Sequence, residues 1–147
     1  MLKPSTLQKY ALFGGLMEEQ IEKVIPFMHE EKFAANDFLI TEGKTNDRIF
    51  FLIEGQVVVS KKEIEIARFS EGEAFGEMEV LDVMPAAASI KALSPVTAMT
   101  ISNKSLREIY KKDIAAFNLV IMNLARDLVR RLRKMDEKFA SLPPFLY

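Results

Sequence analysis

The residue types best placed to do chemistry lie in residues 75–92, FGEMEVLDVMPAAASIKA. They read as a strand end, a Gly-Glu turn, one short helical turn and a second strand. Gly76 has no Cβ to block a close ligand, and the amides that follow it, opening a short helix, would aim their donors at an anion. Half of a phosphate site is therefore present. A phosphate taken out of water also calls for a guanidinium, whose paired hydrogen bonds offset the desolvation of its charge. The candidate position holds Ala86.

Other chemistry has little support. The sequence has one His and no Cys, so thiolate, disulfide and zinc chemistry lack their groups. His29 stands beside Glu30 and Glu31 near a helix end and reads as a surface residue. No spaced Ser-His-Asp set can be assembled, and the expectation is a protein that is not an enzyme and holds no metal.

The elements that position residues 75–92 follow from the period of the apolar residues. The 147 residues suit one domain with its own core. Ser5 and Gln8 have the spacing of a capping box that opens a first helix, which Gly14 and Gly15 end. Ile21, Val24, Ile25 and Met28 mark one face of a second helix, with Pro26 expected to kink or end it. N-terminal helices are thus expected over residues 1–31.

From residue 32 to residue 102 short apolar or alternating runs are broken by Glu42-Gly43, Glu54-Gly55 and Glu71-Gly72. Residues 48–53 are nearly all apolar, as in a strand covered on both faces, whereas Val57 with Val59 and Ile64 with Ile66 alternate as half-exposed strands do. About eight strands result, which suits a double-sheet jelly roll. Helical period returns over residues 103–142, briefly at 104–110 and then without Gly or Pro from residue 114 to 142, where Pro143 and Pro144 stop it. The apolar stripe Ile121, Leu124, Leu128, Leu132, Met135 and Phe139 runs along this long helix, with Arg126, Arg130, Arg133 and Lys134 mostly facing away.

A formal net charge of −1 gives no overall bias toward nucleic acid or membrane. Asp127, Asp136 and Glu137 interrupt the basic face of the long helix, which reads as solvated. No apolar run is long enough to cross a bilayer and none resembles a signal peptide, so the expected place is the cytoplasm.

With these elements in order, the chain resembles the cyclic nucleotide-binding domain of kinase regulatory subunits, gated channels and the bacterial catabolite activator. Glu42-Gly43 through Asp47, Phe50 and Gly55 repeats that family's strand and turn spacing, and residues 75–92 align without gaps to its phosphate-binding cassette. Arg130-Arg131-Leu132 with Glu137-Lys138 is similar to the long helix along which the catabolite activator dimerises and closes over the base.

The resemblance implies a cradle of Phe75, Gly76, Glu77, Met78, Ala86, Ala87 and Ser89. Glu77 would accept a hydrogen bond from a ribose hydroxyl and the cassette amides would bind the cyclic phosphate. Ala86 replaces the family's phosphate-neutralising arginine, and Glu79 stands where the family has a small residue. Met135 and Asp136 replace the polar pair that meets adenine, and form the base-facing lid. Ala87, where members that prefer cGMP carry threonine, does not suggest guanine.

The expected function is a cyclic nucleotide-binding-type sensor module without an attached effector domain. It would need no cofactor and would hold cAMP or another small molecule weakly. The alternative is a ligand-free dimerisation or protein-interaction module that kept only the fold. The apolar stripe is either core packed against the barrel or a dimer seam; its length favours use by a partner, so a homodimer is expected through Leu124, Leu128, Leu132 and Met135, with a protein partner as a further possibility. The catabolite activator's DNA-reading motif would fall beyond Tyr147, so direct DNA binding is not expected.

Overall fold

Alternation along one central strand organises the molecule. In a computed structural model that describes residues 3–144, Arg48–Glu54 forms a strand whose odd and even residues enter different cores. Ile49 and Phe51 face the helices, while Phe50 and Leu52 face the inside of a roll. A strand with both faces buried has no polar side, which is why this run is apolar throughout.

Among the described residues there are eight strands: β1 (His29–Phe33), β2 (Phe38–Ile40), β3 (Arg48–Glu54), β4 (Val57–Lys61), β5 (Ile64–Phe69), β6 (Ala74–Phe75), β7 (Ser89–Ala92) and β8 (Val96–Ser102). They make two four-stranded sheets, ordered β1-β8-β3-β6 and β2-β7-β4-β5, with every pairing antiparallel. Phe50, Leu52, Val57, Val59, Phe75, Ala86 and Ile90 fill the space between them. The expected β roll with flanking helices is the fold observed.

The N-terminal segment differs from the sequence expectation. α1 covers only Pro4–Leu7, and Ser5 makes no cap, because Pro4 takes the first helical position and the Gln8 amide donates instead to Leu16 O at 3.0 Å. A separate 3-10 turn, Ala11–Phe13, then drives Leu12 and Phe13 into the core. α2 spans Glu18–Val24 and passes into a 3-10 turn, Ile25–Phe27, at Pro26. β1 accordingly begins at His29, a little before residue 32, and His29 lies exposed at the start of that strand, directly after the cap of the 3-10 turn. The half-exposed alternation expected for β4 and β5 is not seen: Val58 is buried along with Val57 and Val59, and Ile64, Glu65 and Ile66 are all exposed on the edge strand β5, where Ile66 is an extra residue in the pairing with β4.

The C-terminal helices hold their expected places. α4 (Asn103–Lys112) is capped by Ser102, whose Oγ accepts from the Ser105 amide at 3.0 Å. Asp113 caps α5 (Ile114–Ala140) in the same way through the Ala116 amide, also at 3.0 Å. That bond, together with nearby Lys23, holds the Asp113 carboxyl below its usual range. Ala116, Val120 and Leu124 seat the first half of α5 against the core, whereas residues 132–144 are all exposed.

Leu124 requires a correction. It is 2% exposed and belongs to this chain's own core, so it is not available to a second copy. Leu128 is half-buried, whereas Leu132 and Met135 are exposed.

Candidate functional site

Gly76 turns the chain from β6 into the short helix α3 (Glu77–Asp82) at φ +87°. A Cβ there would lie 2.7 Å from Arg48 O and 3.0 Å from Asn46 Nδ2, so both conformation and space require glycine. Asn46 fixes the turn: its Nδ2 donates to Arg48 O at 2.9 Å and to Gly76 O at 3.2 Å.

Glu77, first residue of α3, is 2% exposed. Its Oε1 accepts from Arg131 Nη1 of α5 at 2.8 Å, while Oε2 is buried without a hydrogen-bond partner. Burial pushes the Glu77 carboxyl above the ordinary value, and the Arg131 guanidinium opposes that shift only in part. Arg131 also donates to Ala74 O and lies 2.7 Å from Asp127 Oδ2, one turn earlier on α5. Its guanidinium stacks on Phe69, 4.4 Å from the ring centroid. Phe69, Phe75 and Phe50 continue the stack inward, with nearly parallel rings 5.8 and 5.1 Å apart. The long helix is therefore tied to the Gly76–Glu77 turn through this carboxylate.

The far side of the cradle is closed by backbone. Ala86 is 4% exposed and packs among the inner-core residues; its N–H donates to Lys44 O at 2.9 Å and its carbonyl accepts from Gly43 at 2.8 Å. Ser89 Oγ accepts from the Glu42 amide at 2.9 Å. Ala87 is exposed, and its carbonyl accepts from Lys61 Nζ at 2.9 Å. Glu79 is half-buried, and burial above all, with Glu77 adding to it, raises its carboxyl while Asn46 opposes the rise.

The structure packs Phe75 and Ala86 into the one inner core of the roll, with Gly76 and Glu77 directly after Phe75 and with Ala87 and Ser89 following Ala86 into β7. Met78 points outward at 51% exposure. Met135 and Asp136 stand one turn beyond Arg131 and are exposed. Sequence reasoning passed over Asn46, Lys61, Phe69, Asp127 and the site role of Arg131. Arg131 carried a signal: it falls seven residues after the buried Leu124 and so shares its face of α5.

Residues 30–113 match the family model described as the cyclic nucleotide-binding domain. A cGMP-dependent protein kinase of Caenorhabditis briggsae is 31% identical over 90 residues, 61% of this chain and 12% of the kinase. A cyclic AMP receptor protein of Thermus thermophilus is 28% identical over 130 residues, 85% of this chain and 58% of that protein. The chain therefore spans only a part of these relatives. Among solved structures, a cyclic nucleotide-binding domain from Methylobacillus flagellatus superposes with a TM-score of 0.85 at 24% identity, covering 99% of this chain and 85% of that one. The matched residues run from β1 through α4 and include the whole Gly76–Glu77 turn, and the chain belongs to the cyclic nucleotide-binding domain family.

Proposed function

We propose that this chain is a regulatory module without catalytic activity, in which a small ligand enters beside Gly76 and Glu77 and is reported through α5. The observation that carries this reading is the divided Glu77 carboxylate. Oε1 is held by α5 through Arg131, and Oε2 is a buried acceptor that still lacks a donor. A ligand hydroxyl that donates to Oε2 fixes the orientation of the carboxylate that Arg131 also holds, so occupancy of the cradle and the seating of α5 are linked. The output surface is the exposed part of α5, which we assign to pairing with a second copy.

Ordinary cAMP binding is weak in this reading, because Ala86 supplies no guanidinium and Glu79 adds a carboxylate. Losing one partner of a buried charge pair costs about 2–5 kcal/mol, roughly thirtyfold to several thousandfold in affinity. The alternative of a ligand-free interaction module is favoured by one observation: Arg131 already closes on Glu77, with Phe69 and Ala86 packed into the roll.

Calorimetric titration with cAMP and cGMP tests the proposal. The unaltered chain should bind weakly, Ala86→Arg should bind cAMP more tightly, and adding Glu79→Ala should tighten it further. The gain should fall short of a full buried pair, because Met135 and Asp136 still meet the base poorly. Tight cAMP binding by the unaltered chain, or no gain from a folded Ala86→Arg protein, refutes it.

A further inference from the structure

The cation missing from position 86 has a counterpart on the neighbouring strand. Along β4, Val57 and Val59 point into the roll and pack in the same cluster as Ala86. Their β7 partners, Ala92 and Ile90, face the same way. Lys61 continues that phase by two residues, because a strand alternates strictly. The irregularity in the β4–β5 pairing does not break it: Val59 pairs with Ala67 and Ser60 with Glu65, so the extra residue, Ile66, belongs to β5.

Lys61 therefore leaves the strand on the face that lines the inside of the roll, and its Nζ reaches Ala87 O at 2.9 Å, one residue from Ala86. Solvent reaches this end of β4. Ile64, directly across the ladder from Lys61, is 67% exposed, and Ala87 and Lys61 are exposed as well. Arg131 is paired by both Glu77 and Asp127 and has no unshared charge for a ligand. Lys61 makes no ion pair among the described residues, and its one hydrogen bond is to a neutral carbonyl.

We infer that Lys61 is the cationic group of this cradle, an ammonium supplied by β4 that meets the anionic group of the ligand in place of a guanidinium from position 86. The inference rests on the ligand-responsive reading above and names the charge class of the ligand: a compact anion, such as a phosphate or a carboxylate. An ammonium is a flexible point charge and makes no bidentate fork, so it holds such an anion less tightly and less selectively than arginine does.

The test compares cAMP with adenosine, which lacks the phosphate, on the unaltered chain, Lys61→Met and Lys61→Arg. Lys61 is exposed, and methionine keeps its apolar stem, so the fold is retained. The unaltered chain should prefer cAMP to adenosine at low salt, and the preference should shrink as salt rises. Lys61→Met should weaken cAMP roughly ten- to hundredfold and leave adenosine unchanged, whereas Lys61→Arg keeps cAMP. Equal cAMP affinity in Lys61→Met and the unaltered chain overturns the inference. So does an unaltered chain that holds adenosine as well as cAMP, or holds neither. The Ala86→Arg protein separates the two failures. If it binds cAMP while Lys61→Met changes nothing, only the role of Lys61 falls; if it is folded and gains no cAMP, the ligand-responsive reading falls too.

Discussion

Glu77 is tolerated in the interior because Arg131 meets it, and the two residues divide the cost of burial between them. Arg131→Leu should lower stability by about 3–5 kcal/mol near neutral pH, since it leaves a buried carboxylate unpaired and frees Ala74 O as well. The effect should depend on pH in a definite direction. The folded-state pKa of Glu77 is raised above 4.5, so this group's contribution is fully present below the unfolded value and is lost as pH climbs through the folded one. Removing Arg131 raises that pKa further. The stability gap between the two proteins should therefore widen as pH rises through the ionisation of Glu77 and narrow below it, which urea titrations across that range measure. A gap independent of pH would mean that Arg131 acts through Ala74 O and its packing on Phe69 rather than through the Glu77 charge. Gly76 and Glu77 were legible in the sequence because the turn is local. Arg131 lies 54 residues away, and its pairing depended on how α5 docks. Lys61 was hidden similarly, since the face it joins is defined only once β4 is paired with β7.

At the scale of elements, α5 is gripped at two points on its inner face. Asn123 Nδ2 donates to Leu12 O at 3.0 Å and to Gly14 O at 2.9 Å, tying the N-terminal turn to the helix, and Arg131 ties the cradle to it eight residues on. Asn123 is only 6% exposed, so Asn123→Ala strands two carbonyls without a donor. A loss of about 1–3 kcal/mol follows, with protease cleavage appearing first among residues 3–17. Unchanged cleavage there would show that Leu7, Leu12 and Phe13 hold the segment by packing alone. The eight strands could be read from the sequence because β3 is apolar on both faces and Gly turns separate the runs. The Ser5–Gln8 capping box expected from the sequence does not form, since Gln8 is claimed by Leu16 O across a turn that has no local pattern.

At the scale of the whole molecule, the surface opposite the core on α5 needs an occupant. Met122, Ala125, Val129 and Leu132 are exposed at alternating spacings of three and four residues; Asp136 interrupts the series and Phe139 resumes it. Met122, Ala125 and Val129 floor a shallow groove edged by Arg126, Arg130 and Arg133. The burial of Leu124 moves the expected seam round the helix by about 80°, with Leu132 common to both, toward residues the chain's own core leaves free. We predict a homodimer along this seam. Burying Met122, Val129, Leu132 and Phe139 contributes about 1.5–3 kcal/mol per side chain at most, against an association cost of at least about 4 kcal/mol. A dimer in the micromolar range is the expected result. Val129→Glu with Leu132→Glu should give a folded monomer by sedimentation equilibrium, because both side chains are more than half exposed. Leu124→Glu, by contrast, should unfold the chain. An unaltered protein that stays monomeric at tens of micromolar, a regime set by the weak-interface energetics above, would remove self-pairing and leave the seam to a different partner.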